Sequence, residues 1–257
     1  MLTLDEISQS DVLDYLRAIP DSSVQLIVAD PPYNLGPKFG NHKEWINDND
    51  WLPWCVEWLK ECQRVLTPDG NLFVYGIHHY LCFIQVELYK LGMQYRRQII
   101  WHYENGFSTY KRNLATHYEP LLWFSKTNDY YFDEIREPYK SQDRLKHKII
   151  KNGKEWVPNP KGRIAGDVWS FPTLAGRRFS KEKVDHPTQK PLSISERLIK
   201  HFSEPGSTVL IPFAGSGSEC VAAAINNRHF FASELNPEYA NLANRRVREA
   251  LEEIPLF

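Results

Sequence analysis

Apolar positions in the first half of the chain form short uninterrupted runs separated by longer stretches with helical spacing. Residues 24–29 (VQLIVA) lie between turn-like sequences and predict a buried strand that ends at Asp30. The next two residues, Pro31 and Pro32, cannot continue a central strand because proline has no amide hydrogen to donate. From residue 51 to residue 66 apolar side chains recur every three or four positions, which predicts a helix.

The same alternation continues on both sides of a middle segment of different character. Before this segment we predict a turn at 67–70, strands at 71–76, 98–103 and 120–124, and a helix at 77–91. After it we predict helices following Pro191, at about 218–226 and from Asn236 onwards, with strands at 208–211 and 229–233. The segment itself, residues 126–185, lacks a sustained period and contains a candidate strand only at 168–171. Strands that alternate with helices predict a doubly wound α/β fold with a mostly parallel sheet.

Composition indicates a globular protein with reduced thiols. The chain has 42% hydrophobic and 25% charged residues, which excludes a disordered or fibrous protein, and it has no apolar run long enough to span a membrane. Its first residues carry acids where a signal peptide carries Lys or Arg. The four cysteines form no CxxC pair. We therefore expect a cytoplasmic protein.

The net charge of -1 conceals an uneven distribution along the chain. Residues 140–190 contain 13 Lys and Arg against 5 Asp and Glu, a net charge of +8. The rest of the chain contains 18 basic and 27 acidic residues, a net charge of -9. A localised positive segment is typical of a surface that binds phosphates. A solvated, flexible loop explains the same composition, so charge alone does not decide between the two.

A glycine-rich turn follows the predicted strand 208–211. Gly215 and Gly217 let the backbone approach a ligand closely, and the start of the next helix offers unpaired amide groups. Glu234 ends the following strand, 17 residues after Gly217, where an acid can bind ribose hydroxyls. No Lys-Ser or Lys-Thr pair follows the glycines, which excludes a phosphate-binding P-loop. A plain turn explains the glycines alone, but the acid favours a cofactor site.

Five motifs, taken together, resemble those of one enzyme family. Residues 29–34 (ADPPYN) resemble the catalytic motif of AdoMet-dependent DNA amino-methyltransferases, in the form typical of adenine-N6 enzymes. The other four are 210–218 (LIPFAGSGS), similar to the cofactor motif, 234–239 (ELNPEY), similar to the ribose segment, 186–191 (HPTQKP) and 166–169 (GDVW). The catalytic motif precedes the cofactor motif, which is the order of the permuted β group. The resemblance covers the chain outside about 127–165.

The resemblance implies a fold, a division of the chain and binding partners. The fold would be α/β, a Rossmann-like methyltransferase fold with a mostly parallel seven-stranded sheet and helices on both faces. Residues 1–126 and 186–257 would form the catalytic domain, and 127–185 a basic target-recognition region. The cofactor would be S-adenosyl-L-methionine (AdoMet), with no metal, and the partner double-stranded DNA. A cognate restriction endonuclease acting separately and a second copy of the chain are further partners that the resemblance allows.

The resemblance also assigns roles to individual residues. The Asp30 carboxylate and the Pro31 carbonyl would accept hydrogen bonds from an exocyclic amine. Pro32 would stiffen the turn, and Tyr33 would stack on a flipped base. The residues implied to contact the cofactor are Asp11, Pro212, Phe213, Ala214, Gly215, Ser216, Gly217, Glu234 and Asn236. Taken alone, Asp11 is equally well explained as a helix N-cap.

The basic segment occupies the family's target-recognition position, where Lys and Arg would neutralise phosphates and read guanine edges. The expected DNA contacts are Lys111, Arg112, Lys161, Arg163, Arg177 and Arg178. Two departures from the family pattern occur beside the cofactor motif. Ile211 stands where many relatives have an acid, which removes a carboxylate near the methionine ammonium, and Ser218 replaces a usual threonine.

The sequence is therefore interpreted as a site-specific DNA adenine-N6 methyltransferase, from a restriction–modification system or acting as an orphan enzyme. A cytosine-N4 methyltransferase is the first alternative, although those enzymes usually have serine at the position of Asp30. The second alternative is a DNA-binding protein that has lost catalysis on the same scaffold, for which Ile211 is the motive.

Overall fold

In the computed structural model, which describes residues 2–34, 48–77, 79–105, 112, 114–146 and 148–253, the chain folds around an eight-stranded sheet. The strands are β1 (Glu6–Gln9), β2 (Val24–Ala29), β3 (Leu66–Tyr75), β4 (Gln94–His102), β5 (Tyr118–Ser125), β6 (Arg136–Glu137), β7 (Ile149–Lys151), β8 (Lys154–Trp156), β9 (Arg163–Ile164), β10 (Val168–Ser170), β11 (Thr208–Ile211) and β12 (His229–Glu234). The helices are α1 (Val12–Ala18), α2 (Asp48–Val65), α3 (Leu81–Lys90), α4 (Leu192–Phe202), α5 (Ser218–Ile225) and α6 (Pro237–Glu252). Short 3-10 turns occur at Gln142–Lys146 and Arg177–Phe179.

The strands of the main sheet lie in the order β1-β12-β11-β2-β3-β5-β4-β10. Neighbouring strands are parallel, except that β5 runs antiparallel to both β3 and β4. The carboxyl ends of the other seven strands therefore meet at one edge of the sheet, together with the beginning of β5. We call this the carboxyl edge.

Helices cover both faces of the sheet because its central strands are apolar on both sides. All six residues of β2 are buried. Leu26 and Val28 belong to the core on the side of α4, α5 and α6, whereas Ile27 and Ala29 belong to the core on the side of α1, α2 and α3. A strand buried on both faces reads as a continuous apolar run, as 24–29 does. The predicted doubly wound α/β architecture is confirmed.

The turn predicted at 67–70 is wrong as a boundary, because α2 passes directly into β3. Val24 pairs with Leu66 and Leu26 pairs with Asn71, so residues 67–70 form an irregularity within β3. A bulge of this kind accommodates Pro and Gly where a regular strand does not. The turn-like composition was thus a correct sign of irregular backbone inside a longer strand.

The sheet has one strand more than the seven expected, because β10 from the middle segment pairs in parallel with β4 at its edge. Trp169 of β10 is 3% exposed and belongs to the main core, and Trp101 Nε1 donates to the Phe171 carbonyl at 2.8 Å. The middle segment also forms two small antiparallel pairs, β6 with β9 and β7 with β8. No helix within the described ranges is both long and apolar enough to cross a membrane.

Candidate active site

The carboxyl edge brings together motifs that lie far apart in the sequence. Asp30 follows β2, the turn 212–217 follows the neighbouring β11, and Glu234 ends β12 on the other side of β11. Asp11 follows β1, the next strand along, and the amide of Ser10 donates to the Glu234 carbonyl at 3.1 Å. Ligands of open α/β sheets bind at this edge. The predicted catalytic and cofactor residues therefore face a shared region.

The glycine-rich turn uses backbone conformations and contacts that require glycine. Gly215 has φ +49° and Gly217 has φ +79°, both in the left-handed region. A Cβ atom on Gly217 would lie 2.7 Å from the Cβ of Ala243 in α6. A Cβ atom on Gly215 would lie 3.0 Å from Nε2 of His186. The turn is thus packed closely against α6 on one side and against the segment before α4 on the other.

The carboxylate of Glu234 holds this turn by its backbone. Its Oε2 accepts from the amide of Gly215 and its Oε1 from the amide of Asn236, both at 2.9 Å. Asn236 in turn caps α6, where its Oδ1 accepts from the amide of Glu238 at 2.8 Å. Glu234 is half-buried at the end of β12. The structure therefore places it beside the turn, and its contact with a ribose stays a prediction.

The other predicted cofactor residues are also fixed by neighbouring elements. Ser233 Oγ donates to the Pro212 carbonyl at 2.8 Å, and the Ser233 carbonyl accepts from the amide of Ala214 at 2.9 Å. Phe213 packs against Trp58 of α2, with ring centroids 5.4 Å apart. Asp11 is exposed and caps α1, accepting from the amide of Leu13 at 2.9 Å. Its N-cap role is confirmed, and its contact with the cofactor stays a prediction.

Asp30 lies at the centre of a polar cluster between the two motifs. Tyr33 Oη donates to Asp30 Oδ1, and Lys190 Nζ donates to Asp30 Oδ2 at 2.8 Å. Pro31 is buried, and the Pro32 carbonyl accepts from Trp51 Nε1 at 2.9 Å, which ties the turn to α2. Each carboxylate oxygen of Asp30 therefore accepts a hydrogen bond from a side chain, Oδ1 from Tyr33 and Oδ2 from Lys190.

Sequence reasoning missed Lys190 and Glu119, which complete this cluster. Lys190 was counted among the basic residues of the positive segment, but its side chain is 3% exposed and its Nζ lies 3.3 Å from Glu119 Oε2. Glu119 comes from the beginning of β5, which reaches the carboxyl edge because β5 runs antiparallel to its neighbours. The available signal was an acid directly before the apolar strand 120–124. No pattern in the sequence pairs it with Lys190.

The electrostatics of the cluster favour a protonated lysine and a neutral tyrosine. Burial opposes the charge on Lys190, but the surrounding carboxylates outweigh it and raise the pKa of Lys190. Burial raises the pKa of Glu119 and that of Glu219, and in both cases the Lys190 ammonium works against the increase. Burial, reinforced by Asp30 and Glu119, raises the pKa of Tyr33. Tyr33 is therefore a hydrogen-bond donor at neutral pH.

Comparison with known proteins decides the family. The model of the DNA methylase family matches residues 24–245. The chain belongs to the DNA methylase family. It is 37% identical to the type II methyltransferase M1.MboII of Moraxella bovis over 257 residues, covering 95% of this chain and 96% of that protein. It is 33% identical to the DNA adenine methyltransferase YhdJ of Escherichia coli K12, covering 94% of this chain and 82% of that protein.

A solved structure is similar to this DNA methylase over almost its full length. TTHA0409 of Thermus thermophilus, a candidate DNA modification methylase, was crystallised in complex with AdoMet. It superposes with a TM-score of 0.66 at 25% identity, covering 97% of this chain and 95% of that one. The family uses AdoMet as methyl donor and includes both adenine-N6 and cytosine-N4 enzymes.

The residues of this DNA methylase fit that cofactor. Gly215 and Gly217 give the turn left-handed backbone conformations and let it pack directly on His186 and α6, and Glu234 supplies an acid at the end of the adjacent strand. His186 packs against Gly215, its ring lies 4.5 Å from that of Tyr239, and burial lowers its pKa to about 4. A neutral His186 would add no positive charge to a site that holds a cationic cofactor. AdoMet, when bound, supplies the electrophilic methyl group.

An open cleft of about 890 Å³ continues the carboxyl edge beyond the cluster. It lies at the ends of β4 and β10, and its lining includes Tyr103, Asn105, Pro172, Arg177 and Arg178. Burial, reinforced by the charge of Glu119, raises the pKa of Tyr103 to about 12. The charge of Glu119 thus acts on Tyr103, and Tyr103 lines the cleft, so the cleft adjoins the cluster.

The six residues expected to contact DNA divide into separate groups. Arg177 and Arg178 are exposed and line the cleft, and Arg112 and Lys161 are exposed elsewhere. Arg163 of β9 is exposed and forms an ion pair with Glu137 at 3.0 Å. Lys111 lies outside the described residues. The structure thus brings two of the six onto the cleft next to the cluster.

Proposed function

We propose that the protein transfers a methyl group from AdoMet to the N6 amine of an adenine in a short DNA sequence. DNA methyltransferase activity with AdoMet belongs to the family, and the choice of base is the new element. The observation that carries it is the Asp30 carboxylate, which ends β2 beside the glycine-rich turn that follows β11. A hydrogen-bond acceptor would thereby lie next to the methyl donor that this turn would hold.

The chemistry of an exocyclic amine requires such acceptors. Its lone pair is delocalised into the ring, so the nitrogen is a weak nucleophile. The Asp30 carboxylate and the Pro31 carbonyl would accept from its two hydrogens and stabilise the positive charge that develops during attack. Tyr33 would stack on the base after it leaves the duplex. Tyr33 Oη already donates to Asp30 Oδ1, so the amine takes a position next to an existing donor.

Two observations favour adenine over cytosine. Cytosine-N4 enzymes, which the resemblance makes the nearest alternative, usually have serine where this chain has Asp30. A relative with 33% identity over 94% of this chain is a DNA adenine methyltransferase.

The target-recognition role is proposed for residues 127–185. The beginning and end of this segment are anchored to the sheet, since Asn71 Nδ2 donates to the Tyr131 carbonyl at 2.8 Å and β10 pairs with β4. The part between them forms the β7–β8 hairpin and carries most of the positive charge. A two-stranded ribbon of this size fits the major groove of DNA. We also propose that the protein is cytoplasmic and acts in a restriction–modification system or as an orphan enzyme.

The base is identified by analysing the product. Purified protein is incubated with AdoMet and unmethylated genomic DNA, and the DNA is digested to nucleosides for mass spectrometry. We expect N6-methyladenine, located at one short sequence by sequencing that detects modified bases. N4-methylcytosine as the product would contradict the adenine assignment and support the alternative. DNA binding without any methylated base would support the DNA-binding protein that has lost catalysis.

Replacing Arg177 and Arg178 together by glutamine is expected to weaken DNA binding and to reduce its salt dependence. Each phosphate contact that is lost lowers the slope of log K against log salt by about 0.9. Binding is measured by fluorescence anisotropy between low and high salt. The matched control replaces Arg245 and Arg248 of α6, on another part of the structure, and we expect it to leave the slope unchanged. An unchanged slope in the Arg177/Arg178 variant would remove these residues from the interface.

A further inference from the structure

The side chain of Lys190 contacts three other polar residues of the active-site cluster. Its Nζ lies 2.8 Å from Asp30 Oδ2, and 3.3 Å from both Tyr33 Oη and Glu119 Oε2. It also lies 4.9 Å from the centre of the Tyr75 ring. Burying an ammonium carries a desolvation penalty of several kcal/mol, which these contacts must offset. The burial of Lys190 therefore needs an explanation.

The backbone of Lys190 is attached to the cofactor side of the site. Its carbonyl accepts from Ser218 Oγ at 2.8 Å, and Ser218 is the first residue of α5, directly after the glycine-rich turn. Ser218 Oγ also lies 3.3 Å from Ser216 Oγ within that turn. One residue therefore joins the two motifs, by its backbone to the cofactor turn and by its side chain to the catalytic carboxylate.

The charges around Asp30 show why a cation is needed there. The ionisable groups that face Asp30 are Tyr33 of its own turn, Tyr75 of β3, Glu119 of β5, His186 and Lys190 from the segment before α4, and Glu219 of α5. Asp30, Glu119 and Glu219 thus share a site with one ammonium, and the guanidinium of Arg246 in α6 also acts on Glu219. Without the ammonium, mutual repulsion would favour a protonated carboxyl, and a protonated Asp30 accepts poorly from an amine.

We infer that Lys190 is a positioning residue for methyl transfer, holding the Asp30 carboxylate ionised and oriented towards the target amine, with Glu119 as the second anion that balances it. The inference rests on the proposed methylation of an exocyclic amine. It holds for either base, since both reactions need an acceptor for the amine hydrogens.

The test compares pH profiles of kcat for Lys190→Met and Lys190→Arg at saturating DNA and AdoMet. For Lys190→Met we expect kcat at neutral pH to fall about 100-fold. The acid limb of its profile should move up by about one pH unit or more, because the cluster keeps a proton to higher pH. Lys190→Arg keeps the charge, so its acid limb should stay near the wild-type position although kcat is reduced. Lys90→Met, an exposed lysine of α3, is the control and should behave like the wild type.

The readouts separate positioning from simple packing. AdoMet affinity and Tm are measured for each variant, and a loss of kcat in Lys190→Met with an unmoved acid limb would overturn the inference. If Lys190→Met does not fold, Glu119→Gln decides the question. Without the Glu119 carboxylate, Lys190 contacts Asp30 as its one remaining acidic ion-pair partner among the described residues, so we expect the acid limb to move to lower pH. An acid limb that does not move again overturns the inference. A wild-type protein that methylates no base would instead contradict the proposed function.

Discussion

Replacing Asp30 with alanine is expected to reduce methyl transfer by about 10³-fold or more while leaving DNA binding within a few-fold of the wild type. The carboxylate is the acceptor next to the cofactor turn, and losing one oriented polar group of this kind costs about 10²–10³-fold in rate. The rate falls further because Lys190, whose Nζ lies 2.8 Å from Asp30 Oδ2, would turn towards Glu119 when Asp30 is removed. The DNA-binding surface proposed for 127–185 does not include this residue.

The experiment measures transfer of tritiated methyl groups to DNA, with DNA binding followed by anisotropy in parallel. Glu57→Ala is the matched control, because it removes an exposed acid of α2 that contacts only Lys60 among the ion pairs of the described residues. We expect full activity for the control. An Asp30→Ala protein that binds AdoMet and retains substantial activity would show that another group accepts from the amine.

Replacing Gly217 with alanine is expected to weaken AdoMet binding by about 100-fold and to lower Tm. An alanine at φ +79° costs about 1 kcal/mol in backbone conformation alone. The added Cβ atom would also lie 2.7 Å from the Cβ of Ala243, so the turn or α6 must shift. A shift of the turn displaces the amides that would contact the cofactor.

Gly206→Ala separates these two effects. Gly206 has φ +81°, almost the value of Gly217, but a Cβ atom there meets nothing within 4 Å. We expect the control to lose a similar conformational contribution to stability and to keep its AdoMet affinity, as measured by calorimetry. Equal affinities for the two variants would mean that the close packing of the turn against α6 does not shape the cofactor site.

Much of the fold followed from local patterns because each central element carries a strong one. The run 24–29 is apolar on both faces, and β11, α4, α5 and β12 lie where periodicity and glycine placed them. The extra strand β10 was foreseen as a strand but not as a member of the main sheet. Three residues in a segment without a period contain no information about their partner. Pairing with β4 depends on long-range packing of Trp169, which is buried in the core.

The site divides in the same way. Asp30, Tyr33 and the glycine-rich turn belong to contiguous motifs, so the sequence predicts them as site residues. Lys190 and Glu119 are single charged residues whose roles arise only where β5 and the segment before α4 converge. Lys190 was counted in the charge of the positive segment, because a count of charges does not distinguish a buried lysine from an exposed one.

The position of β11 in the sheet determines when this protein can complete its folding during synthesis. β2 is hydrogen-bonded on one side to β3, which follows it closely, and on the other side to β11, which is made about 180 residues later. Until then one edge of a strand whose six residues are all buried in the complete fold has no partner, a state prone to aggregation. A nascent chain that stalls before residue 208 would thus be both inactive and a client for chaperones. Because the cofactor motif follows the catalytic motif in the sequence, the predicted cofactor turn is synthesised after the catalytic turn.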